Sequence, residues 1–157
     1  MIICFHNPNE PNGYLSNWYM SKFVVDGVQF TSMEQYMMYC KADLFADDKM
    51  KEAILSTSDV AKIKHFGRQV RNFNDVVWDK RKEAIITRGL MCKFQQNPQL
   101  RNMLLSTGDA VLAECAVHDR IWGIGLSMTD PNRLDMTKWR GQNLLGKCLM
   151  VVRAKLR

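Results

Sequence analysis

Two carboxylates, two tryptophans and two closely spaced glycines are the residues whose types and spacing could do chemistry. Asp119 falls in Ala113-Glu114-Cys115-Ala116-Val117-His118-Asp119-Arg120-Ile121-Trp122-Gly123-Ile124-Gly125-Leu126, which puts an acid, a large aromatic and two glycines in one short span. A core strand has no need of that grouping, so it reads as one wall of a ligand pocket. Glu34 fits a capping box with Thr31, or a carboxylate held rigidly at a helix start. Asp119 is a turn aspartate or an acid, and Trp78 and Trp122 are core aromatics or platforms for a ligand. Asn17, between Ser16 and Trp18, has an amide that serves a turn or binds a ligand hydroxyl. Gly123 and Gly125 suit a tight bend or a close approach of backbone to a phosphate. With no third glycine they do not make a dinucleotide fingerprint. His65 and His118 lack a serine or cysteine partner at any motif spacing, which argues against a nucleophilic triad.

The elements that must position these residues can be taken in order. A short strand over 2–6 leads into a proline-containing loop over 7–13. Phe23 to Phe30 surrounds Asp26-Gly27, a hairpin signal because both turn residues tolerate positive φ. Thr31-Ser32-Met33-Glu34-Gln35 opens a helix, capped by Thr31 with Glu34 or by Ser32 with Gln35, and Met33, Met37, Cys40 and Leu44 form its stripe. Glu34 and Lys41 lie together at the stripe's edge. Helices over about 47–55 and 58–66 follow, the second ending at Gly67.

The longest helical pattern covers about 74–95, with Val77, Ala84 and Met91 recurring by sevens beside Trp78, Ile85 and Cys92. Arg81 and Arg88 fall inside that apolar stripe, where a guanidinium needs a carboxylate, a phosphate or several carbonyls to offset its desolvation. Asn97-Pro98 opens a helix through Leu105, an apolar strand covers 110–117, and 127–138 is a polar loop. A last helix from about Asn143 to Leu156 packs through Leu145, Leu149, Val152 and Leu156, and its start either receives an anion at the helix N-terminus or is simply N-capped by Asn143.

The 157 residues suit one domain, and the pattern predicts a mainly helical α+β fold with a few short strands, a single domain over 1–157. At 46% hydrophobic and 24% charged, with no apolar run of the roughly 20 residues that span a bilayer, the sequence predicts no membrane segment. The start lacks a basic segment and long apolar stretch, and the five cysteines are widely spaced, so a cytoplasmic protein with reduced thiols and no metal site is expected. A net charge of +6 leans toward anionic partners. General nucleic-acid binding would be the extreme case, but no basic run with interleaved aromatics supports it.

Ser16-Asn17, Phe30 to Glu34, Lys41, Gly67-Arg68, Trp78, Arg81, Lys93-Phe94, Thr107-Gly108-Asp109, Glu114, Asp119-x-x-Trp122-Gly123-x-Gly125 and Trp139-x-Gly-x-Asn143-x-x-Gly146 together resemble the NADAR (NAD and ADP-ribose) family, also called YbiA-like. The resemblance covers nearly the whole chain. It implies the YbiA-like α+β fold and an N-glycosidase without metal or redox cofactor. The implied substrates are phosphorylated ribosylamine intermediates of riboflavin synthesis, or ADP-ribose attached to guanine, including ADP-ribosylated nucleic acid. The family's functional positions fall on Glu34, Trp78, Asp119 and Trp122. Trp18 stands where the family commonly has phenylalanine or tyrosine.

Cleaving an N-glycosidic bond builds positive charge on the ribose C1′ and ring oxygen, so a carboxylate near that charge and a group that positions water are needed. Glu34 and Asp119 can divide those tasks, with Asp119 the first choice beside the ribose. Trp78 and Trp122 would stack the base or exclude water, Asn17 and Gly123 would contact substrate, and Lys41, Arg68 and Arg81 would hold phosphate. A module that binds NAD or ADP-ribose without chemistry is the alternative that the same residues allow.

Overall fold

The computed structural model describes all residues, Met1–Arg157. In chain order the elements are β1 (Ile2–Phe5), β2 (Met20–Val25), β3 (Val28–Ser32), α1 (Met33–Leu44), α2 (Asp48–Leu55), α3 (Val60–Arg68), α4 (Asp75–Gln96), α5 (Pro98–Ser106), β4 (Val111–Glu114) and α6 (Leu144–Leu156). This is a mainly helical α+β chain with two small two-stranded sheets. It divides into two compact units, Met20–Gln96 and a second made of Met1–Tyr19 with Asn97–Arg157.

In the unit Met20–Gln96, β2 and β3 pair antiparallel around Asp26 and Gly27. Their φ values are 50° and 79°, the left-handed pair that a two-residue hairpin turn requires. Phe23, Phe30 and Tyr36 stack across the hairpin and α1 with centroids 5.3–6.0 Å apart. At the start of α1, Ser32 Oγ accepts the Gln35 N–H at 3.1 Å and Gln35 Oε1 accepts the Thr31 N–H at 2.8 Å. Gln35 Nε2 also donates to the carbonyls of Ile54 and Thr57, which ties α1 to the end of α2. Asp47 caps α2 through Met50 N and also accepts the Arg71 N–H at 2.9 Å.

Two expectations are corrected in this unit. Helix α3 does not stop at Gly67 but runs through it to Arg68. Gly67 is there for space, because a Cβ would sit 1.8 Å from Met38 Sδ. The stripe of α4 is also rotated. Val77, Ala84, Arg81 and Arg88 are exposed, and the buried face is Trp78, Lys82, Ile86, Gly89, Leu90, Lys93 and Phe94. Gly89 sets this phase by admitting the Tyr36 ring, which would lie 2.4 Å from a Cβ. The cations carried inward are therefore lysines and not arginines.

In the other unit β1 and β4 run parallel, with Ile2 opposite Val111 and Phe5 opposite Glu114. The strand expected through Val117 stops at Glu114. Asn143 explains where it stops. Its φ of 54° lets the chain turn into α6, and its buried amide bonds β4 twice, accepting the Glu114 N–H at 3.1 Å and donating to the Leu112 carbonyl at 2.8 Å. Asn143 stands at the N-cap position of α6 as expected, but its side chain clamps the strand and makes no capping bond to its own helix. Gly146 follows against the same strand, where a Cβ would meet the Leu112 carbonyl at 2.0 Å. The core beneath contains Ala113, Cys115, Ile124 and Leu126. The polar loop 127–138 holds two short 3-10 turns, capped by Asp130 and Asp135.

Candidate active site

Each unit carries its own acidic centre. In Met20–Gln96 the centre is Glu34, buried in the first turn of α1. The capping bonds at this helix start are made by Ser32 and Gln35. At about 100° per residue, Glu34 and Lys41 lie within roughly 20° on the helix. Burial pushes the Lys41 ammonium below the usual lysine range, the charge of Glu34 opposes that shift, and Arg68 adds to it. Glu34, Lys41 and Arg68 therefore form one electrostatic group. Lys41 Nζ also lies 4.5 Å from the centroid of the Phe73 ring.

Arg81 does not join this group. It lines an open groove of about 440 Å³ with Tyr36, Tyr39, Cys40 and Arg88, on the side of α1 roughly opposite Glu34. Arg88 there pairs with Asp26 at 2.5 Å, exposed on both sides. The guanidinium that the stripe seemed to bury is solvated, because α4 turns Trp78 inward in its place. Trp78 itself is buried.

The second centre is the loop that follows β4. Asp119 Oδ1 accepts the N–H of Ile121 at 3.0 Å and of Trp122 at 2.8 Å, which fixes the tryptophan three residues from the acid. The loop is held from outside by a run of main-chain bonds: Gln142 N to Arg120 O, Leu144 N to Ile121 O, Leu145 N to Trp122 O, Asn143 N to Gly123 O and Arg140 N to Ile124 O, all 2.8–3.1 Å. Trp122 is half-buried and Gly123 buried. The missing Cβ of Gly123 makes room for backbone, since it would meet the carbonyls of Asp119 at 2.9 Å and Glu114 at 3.0 Å. Room for a phosphate, which the glycine pair suggested, is not what Gly123 provides on that side. Gly125 does need its conformation, at φ 73°.

Asn17, in this same unit, is buried and its Oδ1 has no hydrogen-bond partner. Glu114, present in the motif but given no role at the site, is the further acid here. It ends β4 buried, its Oε1 shares a 3.0 Å hydrogen bond with His6 Nδ1, and its Oε2 is buried with no partner. Burial raises its pKa most, the bond to His6 pulls it down, and the charge of Asp119 adds to the rise. An acid as the last buried residue of an apolar strand was the available signal.

A domain model for the NADAR domain matches residues 4–157. The chain is 42% identical over 159 residues to N-glycosidase R617 of Acanthamoeba polyphaga mimivirus, covering 96% of this chain and 94% of that one. It is 30% identical to Escherichia coli YbiA, named an N-glycosidase, whose NMR structure superposes with a TM-score of 0.81 over 99% of this chain and 84% of that one. The riboflavin biosynthesis protein VVA0006 of Vibrio vulnificus is 30% identical over 98% of this chain but 38% of its own length. Fold and relatives define an enzyme of the N-glycosidase class, a hydrolase of N-glycosyl bonds. The chain belongs to the NADAR family. None of its helices is long and apolar enough to cross a membrane.

Proposed function

We propose that the chain hydrolyses the bond between a nitrogenous base or amine and a phosphorylated ribose or ADP-ribose, with Glu34 and Asp119 as its acidic groups. The observation that carries this reading is the grouping of Glu34 with Lys41 and Arg68, a buried carboxylate beside two cations. A phosphorylated sugar has both complements: an anion for the cations, and a C1′ that becomes positive as the base departs. The names of the relatives, N-glycosidase and riboflavin biosynthesis protein, support the same chemistry.

A carboxylate about 4 Å from a developing unit charge, at an effective dielectric near 20, stabilises it by on the order of 4 kcal/mol, roughly a thousandfold in rate. Asp119 is the residue assigned here to that charge, because two N–H donors at Oδ1 hold it still. Glu34 then acts as general base on water, a role worth about 10² to 10⁴. Trp122, half-exposed, stacks the leaving base, and Trp78 excludes water. Asn17 Oδ1, a buried acceptor without a donor, suits a ribose hydroxyl. Arg81 takes no part with Glu34 in this reading.

Incubation with a ribosylamine phosphate of riboflavin synthesis, and separately with ADP-ribosylated guanosine and ADP-ribosylated DNA, tests it by the release of base or amine and of the ribose product. Turnover of one class and not the other identifies the substrate. Binding of ADP-ribose in calorimetry with no product from any of them would make the chain a binding module instead.

A further inference from the structure

Glu114 and Asp119 converge on one glycine. Both of their carbonyls lie within 3.0 Å of where a Cβ on Gly123 would be, and Ile124 N donates to the Glu114 carbonyl at 2.9 Å. The strand end that carries Glu114 is thus the floor under the loop that carries Asp119. Their side chains differ in how a negative charge would be received. Asp119 has two backbone N–H donors, both on Oδ1. Glu114 has a bond to His6 on Oε1, and on Oε2 a buried oxygen with no donor. An anion there would spread half its charge onto an atom that nothing solvates, a desolvation cost that a neutral carboxyl largely avoids. The negative charge of Asp119 adds to the penalty for an anion on Glu114.

We propose that Glu114 is a positioning residue that carries the proton of this carboxyl pair and leaves Asp119 as the anion at the loop. The groups that face Glu114 are His6, just beyond β1, Asp119 in the following loop, and the Cys115 thiol next in the chain. His6 has an exposed side chain and connects the buried acid to solvent, so the proton can exchange without opening the strand pair. Raising the pH until Glu114 ionises places a second negative charge beneath Asp119. The use of Asp119 in hydrolysis rests on the function proposed above; the proton on Glu114 does not.

The test is a titration of the Glu114 side-chain carboxyl by carbon-13 NMR on the whole chain without substrate. The expected midpoint lies above the ordinary glutamate value of about 4.3. In Asp119→Asn, which keeps the Oδ1 acceptor, the midpoint falls because a neighbouring charge is gone. In His6→Ala it rises, because a bond that favours the anion is gone. A midpoint at or below the ordinary value, or one that ignores Asp119→Asn, overturns the proposal. His6→Ala lies on an exposed side chain and keeps the test decisive if the loop variant does not fold: a midpoint unmoved or lowered there overturns it equally. A protein with the coupled titration but no turnover of any N-glycoside would defeat the proposed function and leave the carboxyl pair standing.

Discussion

Gln35 donates its backbone N–H to Ser32 Oγ at 3.1 Å, which puts the cap of α1 one residue out of step with Glu34. The cap made by Ser32 and Gln35 can therefore be kept while Glu34 is changed. Glu34→Gln removes a charge and keeps shape and cap, so its unfolding temperature should stay within about 4 °C of the parent, a change below ~1 kcal/mol. Turnover of an N-glycoside should fall by about 10² to 10⁴, the usual contribution of a general base. Steady-state kinetics beside a thermal melt measures both, and undiminished turnover would remove Glu34 from the reaction.

Asp119 has a structural task as well as a charge, and two substitutions separate them. Asparagine keeps an oxygen to accept the N–H groups of Ile121 and Trp122. Asp119→Asn should thus lower kcat by on the order of 10³ through the lost charge alone, with stability close to the parent. Asp119→Ala also loses the turn and should cost about 0.5–2 kcal/mol more, as cap removals do. Equal melting temperatures for the two variants would mean that the outer main-chain bonds hold the loop without Asp119.

The hairpin was legible because Asp26-Gly27 states its own backbone geometry, and the family because its motifs run along almost the whole chain. The phase of α4 was not. Val77, Ala84 and Met91 repeat by sevens as convincingly as a buried stripe, and only the Tyr36 ring seated on Gly89 shows which side faces in. A glycine has no hydropathy to announce such a contact. The burial of Lys82 and Lys93 was not legible for a related reason, since lysines on a helix normally read as solvated face, whereas here both are buried and Lys82 reaches Asp79 at 2.8 Å. Glu114 was visible as a motif residue but not as an acid with an unpartnered oxygen, because burial on both sides of a strand end depends on what β1 and the 119–124 loop bring to it.

Asn143 gives a test of how the second acidic loop is supported. It accepts from Glu114 N and donates to Leu112 O, both buried, while its own backbone sits at φ 54°. Asn143→Ala leaves two main-chain groups unpaired and adds backbone strain, so about 2–4 kcal/mol should be lost, lowering the melting temperature by on the order of 10 °C. Asn143→Gly relieves the strain but restores neither bond, and should recover only part of the loss. A glycine variant as stable as the parent would show that the conformation at 143 matters and the clamp does not.

Lys93 allows a prediction about pH with a definite sign. It is fully buried in α4, and desolvation brings its pKa down to about 7, whereas in the unfolded chain a lysine titrates near ~10.4. Between those values the unfolded chain binds the extra proton, so this residue makes stability rise with pH from about 7 upward and contributes no slope below it. Lys93→Met removes the titrating group and keeps an unbranched side chain of similar length. Urea unfolding of the two proteins at several pH values between 7 and 9 isolates the residue, because every other group cancels in the difference. The parent should gain on Lys93→Met as pH rises, by at most about 1.4 kcal/mol per pH unit. A constant difference across that range would mean that Lys93 keeps an ordinary lysine pKa inside the fold, held charged by its surroundings and not neutralised by burial.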